Sequence, residues 1–161
     1  MPAKCCIDVK TREFQFKVIH RIVFTKKRLY KIGISDSPLC SFCKLHDESI
    51  EHLFWGCNFV KCFWNCLFDW LNSCSVKVED ISELDIIIGY LNENEDELLI
   101  NHICILAKYF IYRNSLVCKI PKFSVFKHKI SYVYDIESRI AAKNNKSSFH
   151  LRKWDKLLHK L

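Results

Sequence analysis

Glycine and proline are rare in this chain, which has three of each among its 161 residues. With so few of these residues and half of the chain hydrophobic, the sequence is not of the disordered, collagen-like or linker-rich kind. Apolar runs of about 18 residues, the length needed to cross a bilayer, are also missing. The composition therefore predicts a soluble, mainly α-helical domain with a substantial core and no membrane partner.

A secretory signal is not visible at the start of the sequence. The opening residues MPAKCCIDVKTREFQFK carry charges throughout, without an apolar run of about seven residues. We therefore expect an intracellular protein, in the cytoplasm or the nucleus, whose ten cysteines are reduced thiols rather than disulfides.

Charge is unevenly distributed around a formal net charge of +7. Residues 1–34 hold nine basic and two acidic side chains, residues 79–99 hold eight acidic and no basic ones, and residues 100–161 hold thirteen basic and three acidic ones. Basic segments at both ends suit a phosphate backbone as partner, and they equally suit solvated helix faces.

Hydrophobic periodicity predicts helices along most of the chain. The predicted spans are a helix over 12–24 capped by Thr11, a short helix from Thr25 to Gly33, an aromatic helix from Cys57 or Asn58, a central buried helix over 95–118, a helix from Ser124 to Ala142, and a final amphipathic helix carrying Leu151, Trp154, Leu157 and Leu158. The run from Ile86 to Ile88 suits either a short helix between Ser82 and Gly89 or a buried strand. Along the aromatic helix, Phe59, Phe63, Leu67 and Trp70 suit core packing, with a base-stacking platform as the alternative.

One set of residues carries recognisable chemistry: Cys40, Cys43, His52 and Cys57. The spacing is two residues, then eight, then four. Zinc prefers four thiolate or imidazole ligands in a tetrahedron, and a two-residue gap lets one tight turn aim two thiolates at the ion. If Ser49 caps a helical turn that contains His52, the imidazole points towards the cysteine pair. Four protein ligands leave no open position, so the pattern predicts a structural Cys3His zinc knuckle.

Alternative roles for nearby residues remain open at this point. His46 can replace His52 as a ligand, and Cys62 with Cys66 can face a metal from one helix turn. Packing as small hydrophobic side chains is the other interpretation for five cysteines: Cys62, Cys66, Cys74, Cys104 and Cys118. Cys5 and Cys6 have no role that the sequence suggests.

At these residues the sequence resembles the zinc-binding region at the C-terminal end of reverse transcriptases from LINE-type (non-LTR) retrotransposons. The strings that carry the resemblance are FQFKVIHRIVFTKKRLYKIGI, DSPLCSFC, ESIEHLFWGCNFVKCFW and LAKYFIYRN. The resemblance implies that Cys40, Cys43, His52 and Cys57 bind Zn²⁺. It also implies that the region holds element RNA or target DNA, with the element polymerase as a further partner.

The motifs of the parent enzyme are not found in this sequence. A polymerase active site needs an aromatic residue, any residue and two aspartates, so that paired carboxylates can hold two metal ions. The segment from Tyr132 to Asp135 has one carboxylate in a helical pattern, and no endonuclease carboxylate–histidine set is apparent. We therefore expect a non-enzyme without a small-molecule substrate, resembling the detached C-terminal part of such an element.

These observations predict an irregular multi-helix domain built around the small zinc knuckle. The expected divisions are a flexible N-terminus at 1–10, a helical zinc-binding domain at 11–118 with its knuckle at 38–57, and basic C-terminal helices at 119–161 that pack on it or are appended to it. The expected function is nucleic-acid binding through Lys17, Arg21, Lys26, Lys27, Arg28, Lys31 and Phe42. Phe42 can stack on a base or shield the thiolates. The alternative is a protein-interaction or structural zinc module, or a retroelement relic without a selected function.

Overall fold

The computed structural model of the chain describes residues 6–78, 81–89 and 95–160. Within these ranges it contains seven α-helices: α1 (Val9–Ile19), α2 (Lys26–Lys31), α3 (Asn58–Ser73), α4 (Glu83–Ile88), α5 (Glu95–Leu116), α6 (Phe123–Lys143) and α7 (Ser147–Trp154). A π-helical turn covers His52–Gly56, and a 3₁₀ turn covers Asp155–Leu157. The prediction of a mainly α-helical, irregular domain is confirmed.

Helix α5 lies at the centre of the fold, as its apolar sequence predicts. It contacts α1, α6, α7 and the π-helical turn. Its residues Ile103, Ala107 and Ile111 are fully buried. Since burial of apolar area is the main favourable term in folding, α5 stabilises α1, α6, α7 and the π-helical turn that pack against it.

The inner face of α3 forms the aromatic part of the core. The ring of Phe63 lies 6.0 Å from that of Phe110 on α5 and 5.3 Å from that of Phe126 on α6. Trp64 is buried too, and its indole N–H donates a 2.7 Å hydrogen bond to the carbonyl oxygen of Phe54. Core packing is therefore the role of this face, although Phe59, at its N-terminal end, is exposed.

Several predicted helix ends differ from the structure by a few residues. Helix α1 is capped by Asp8 rather than Thr11, because the Asp8 carboxylate accepts the N–H of Thr11. It ends at Ile19 rather than near residue 24, since Arg21 adopts a left-handed φ of 57° that an α-helix cannot continue. Helix α6 begins at Phe123, so Lys122 and not Ser124 occupies its N-cap position, without a side-chain capping bond.

The segment with the open helix-or-strand choice is helical. Ser82 and Asp85 form a reciprocal capping box at the start of α4, and Gly89 ends the helix with a φ of 95°. Gln15 on α1 and Lys108 on α5 donate hydrogen bonds to the carbonyl oxygen of Ile87, at 2.9 and 3.0 Å. Local capping and these two donors together favour the helix.

Removing the capping hydroxyl should weaken α4 measurably. We expect Ser82→Ala to lower the free energy of unfolding by about 1 kcal/mol, because the backbone N–H of Asp85 loses its partner. Ser138→Ala, in the interior of α6, is the control and should change stability by less than about 0.5 kcal/mol. Chemical denaturation in buffered zinc measures both, and equal stabilities for the two variants would contradict the capping role.

None of the nine described cysteines forms a disulfide with another of them. Cys74 and Cys104 are buried, as expected of packing residues, but Cys62, Cys66 and Cys118 are exposed. The packing role is therefore wrong for these three side chains. Cys62 and Cys66 lie on the outer face of α3, whose inner face is filled by larger side chains. Cys5 lies outside the described residues.

Among the described residues, no helix has both the length and the apolar character needed to cross a membrane.

Candidate metal centre

Cys40, Cys43, His52 and Cys57 converge on one point. Their ligand atoms all lie within 4.8 Å of one another. The Sγ atoms of Cys40 and Cys57 are 3.9 Å apart, and Cys43 Sγ lies 3.3 Å from His52 Nε2. In a tetrahedron with zinc–sulfur bonds of about 2.3 Å, the sulfur atoms are about 3.8 Å apart. The donor set and its spacing therefore fit one zinc ion.

The first two candidate ligands, Cys40 and Cys43, lie in a loop that folds back on itself. The N–H of Cys40 donates a 2.8 Å hydrogen bond to the carbonyl oxygen of His46. Inside the turn, the N–H of Phe42 donates to Cys40 Sγ at 3.4 Å. Lys44 then adopts a left-handed φ of 58°, which reverses the chain directly after Cys43. This backbone geometry aims both thiols in one direction.

The other two candidate ligands are His52, the first residue of the π-helical turn, and Cys57, which directly follows the turn. The Ser49 hydroxyl accepts the N–H of His52 at 3.0 Å, as the predicted cap requires. The N–H of Cys57 donates to the carbonyl oxygen of His52 at 2.9 Å, so this turn is closed over five residues. Residues five apart in an α-helix differ by about 140° in direction. The wider turn reduces this angle, which lets His52 and Cys57 face the same point.

The electrostatics of the cluster favour ligation. Cys40 donates a hydrogen bond to Cys57, which lowers the pKa of Cys57 to about 7 and raises that of Cys40. Burial lowers the pKa of His52, and nearby His46 lowers it further. The imidazole is therefore neutral near pH 7, and neutral imidazole is the form that binds zinc.

The comparison with known families agrees with this geometry. Residues 3–64 match the family described as zinc-binding in reverse transcriptase. The matched segment contains all four candidate ligands and covers less than half of the chain. No curated protein matches the chain. This zinc-binding region extends from before α1 into the first half of α3.

Glu48 is a central residue of the zinc-binding region that the sequence does not single out. Its side chain is 2% exposed and accepts the backbone N–H of Ser41 at 2.7 Å and that of Lys26 at 3.0 Å. One carboxylate therefore joins the cysteine loop to the first turn of α2. Thr25 occupies the N-cap position of α2, but its hydroxyl makes no capping bond, so Glu48 takes over that task.

The alternative ligands lie outside the cluster. His46 is exposed, and its ring centre is 5.5 Å from that of His52. Cys62 and Cys66 are exposed and belong to no metal-binding group among the described residues. Phe42 is 7% exposed and packs in the core, which is the position that shielding of the thiolates requires.

Four of the six predicted basic residues line one groove beside the metal centre. The groove has a volume of about 360 Å³. Its basic residues are Arg21, Lys27, Arg28 and Lys31, and its other walls include Thr25, Ser49 and Ile50. Ser49 is also the cap of the turn that carries His52. The metal centre and this basic groove therefore share a structural element.

The remaining two basic residues are not among those that line this groove. Lys17 pairs with Glu13 at 2.7 Å, and this partner raises the pKa of Lys17. The ammonium group of Lys26 lies 3.8 Å from the sulfur of Cys118.

Proposed function

We propose that the chain is a zinc-stabilised module that binds nucleic acid through the basic groove, as part of or derived from a LINE-type reverse transcriptase. The observation that supports the proposal is the placement of Arg21, Lys27, Arg28 and Lys31 along one groove. Ser49 lines the same groove and accepts the N–H of His52, a member of the Cys3His cluster. In this proposal Cys40, Cys43, His52 and Cys57 hold one structural zinc, and the module itself is not catalytic.

Cationic side chains in a groove neutralise phosphates and release condensed counterions. Two of the groove residues have acidic partners: Arg21 pairs with Glu51, and Lys27 lies 3.1 Å from Asp47. The four side chains of these two ion pairs are substantially exposed. Exposed ion pairs are worth about 0–1 kcal/mol, so phosphate oxygens can replace the carboxylates at little cost.

Phe24 adds an aromatic surface next to the groove. Half of its side chain is exposed, and the guanidinium carbon of Arg28 lies 5.3 Å above the centre of its ring. Arg28 also donates a 3.0 Å hydrogen bond to the carbonyl oxygen of Arg21. An exposed ring beside cationic groups suits stacking of an unpaired base. Phe24 therefore takes the stacking role in this proposal, since Phe42 is buried.

Charge reversal in the groove tests the proposal. We expect Lys27→Glu with Arg28→Glu to weaken binding to single-stranded RNA by about tenfold or more at low salt. The slope of log K against log salt should also fall by about 1.4, the contribution of two phosphate contacts. Fluorescence anisotropy across a salt series, repeated with duplex DNA, measures affinity and slope.

Lys143→Glu with Lys146→Glu is the matched control for this experiment. These two lysines are exposed at the end of α6 and just beyond it, far along the chain from the groove. The control changes net charge equally and should retain most of the affinity. An equal loss in both double variants would show that binding follows net charge alone and would contradict a role for the groove.

A second candidate function is docking to the element polymerase. It is favoured by four large apolar side chains near the C-terminal end of α1 that are 40–55% exposed: Phe16, Ile19, Ile22 and Phe24. Exposed apolar clusters of this kind often mark protein interfaces. Failure of the wild-type chain to bind either nucleic acid at low salt would favour this candidate over the first.

A further inference from the structure

A second group of side chains suited to metal binding lies in the core and shares no residue with the Cys3His cluster. Cys6, His102 and Glu137 offer ligand atoms that all lie within 4.8 Å of one another. Their exposed fractions are 3%, 0% and 4%. Cys6 precedes α1, His102 belongs to α5, and Glu137 belongs to α6. Three separate elements therefore bring a thiol, an imidazole and a carboxylate to one buried point.

The histidine of this group has unused ligand capacity. Neither ring nitrogen of His102 has a hydrogen-bond partner among the described residues. His102 Nε2 lies 3.6 Å from Glu137 Oε1, slightly beyond hydrogen-bond distance. For zinc bonds of about 2.0–2.2 Å, tetrahedral ligand atoms are about 3.4 Å apart. A polar ring atom without a partner is costly to bury, and a metal ion between Nε2 and Oε1 removes that cost at Nε2.

The carboxylate is oriented by neighbours on α7. Glu137 Oε2 accepts hydrogen bonds from Lys153 Nζ and from the indole N–H of Trp154, both at 3.2 Å. Oε1 remains directed towards His102. Hydrogen bonds to the outer oxygen of a ligating carboxylate are a usual feature of metal sites, because they fix its direction.

The protonation state of His102 is suited to ligation. Burial lowers the pKa of His102 well below its usual value, and the charges of Lys153 and His150 lower it further. The neutral ring has a lone pair available, which is the form that metals bind.

A groove gives this group an opening. Its volume is about 530 Å³, and Cys6 and Glu137 lie among its lining residues, together with Tyr109, Tyr132 and Ile136. A metal site needs an entry path, and a site with three protein ligands keeps a fourth position for another ligand. This opening distinguishes the group from the Cys3His cluster, whose four ligands close its coordination shell.

We propose that Cys6, His102 and Glu137 bind a second zinc ion, with the fourth coordination position directed to the groove between α1, α5 and α6. Cysteine, histidine and glutamate are all zinc ligands, and the thiolate favours zinc over magnesium or calcium. The bound ion joins the segment before α1 to two core helices. The competing interpretation is that Glu137 only forms a buried ion pair with Lys153.

Zinc content of the full-length protein tests this proposal. After gel filtration in buffer with a trace of free zinc, we expect about two zinc ions per wild-type chain and about one in Cys6→Ser. Cys62→Ser, which changes an exposed cysteine, is the control and should retain both ions. Adding Cys5→Ser to Cys6→Ser excludes replacement by the neighbouring thiol. Circular dichroism confirms that each variant is folded.

One zinc ion per chain in both the wild type and Cys6→Ser would overturn the proposal. Two ions in the folded Cys5→Ser and Cys6→Ser double variant would overturn it as well. Both results leave the Cys3His centre and the basic groove untouched, because the proposed function depends on neither Cys6 nor His102.

Discussion

Replacing Cys57 by serine should remove zinc from the Cys3His centre and unfold the zinc-binding region. Cys57 is fully buried, and its sulfur lies 3.9 Å from that of Cys40. Structural zinc in small domains contributes an apparent 10–16 kcal/mol, whereas a typical domain is stable by only about 5–15 kcal/mol. Losing one thiolate therefore removes stability comparable with the total. Zinc content and far-ultraviolet circular dichroism measure the two effects, and a strong chelator should unfold the wild-type chain in the same way.

Cys74→Ser is the control for Cys57→Ser, because it also buries a serine hydroxyl but removes no candidate zinc ligand. Cys74 is also buried, at 6% exposure, but it belongs to no metal-binding group among the described residues. We expect this control to retain its zinc and to lose only about 1–3 kcal/mol of stability. A Cys57→Ser protein that remains folded without zinc would show that the helices do not depend on the metal.

The sequence identifies the candidate metal centre well because its signal is local. Cys40 and Cys43 share one tight turn, and Ser49 caps the turn of His52, so each feature depends on residues a few positions apart. The π-helical turn before Cys57 is not predictable in this way. Its hydrogen bond over five residues brings Cys57 close to the other three candidate ligands, and local residue preferences do not indicate such a turn.

Features that depend on distant parts of the chain are the ones that sequence patterns miss. In the sequence Glu48 is one more acidic residue in a charged loop. Its partners are backbone N–H groups and not a basic side chain, so no charge pattern reveals them. The Cys6 group joins residues far apart in sequence, with no spacing rule to indicate it. Likewise, periodicity places Phe59 in the apolar stripe of α3, but its side chain is exposed while that of the next residue, Val60, is fully buried.

Replacing Glu48 by alanine should be the second most damaging change. Its carboxylate accepts two backbone N–H groups, from Ser41 and Lys26. Each hydrogen bond to a charged group is worth about 1.5–3 kcal/mol, and both donors would be left without their partner. We therefore expect a loss of about 3–6 kcal/mol in the free energy of unfolding. Chemical denaturation with zinc in excess measures this change.

Glu51→Ala is the matched control, because Glu51 is a partly exposed acid three residues away that pairs with Arg21 on the surface. Exposed pairs are worth about 0–1 kcal/mol, so the control should lose little stability.

Glu48→Gln adds a finer test: its amide has a single acceptor oxygen and can satisfy one of the two donors. Its stability should therefore lie between those of the wild type and Glu48→Ala. Because the first turn of α2 is held by Glu48, RNA affinity should fall in the same order. Equal stability losses in Glu48→Ala and Glu51→Ala would mean that this carboxylate does not join the cysteine loop to the basic groove.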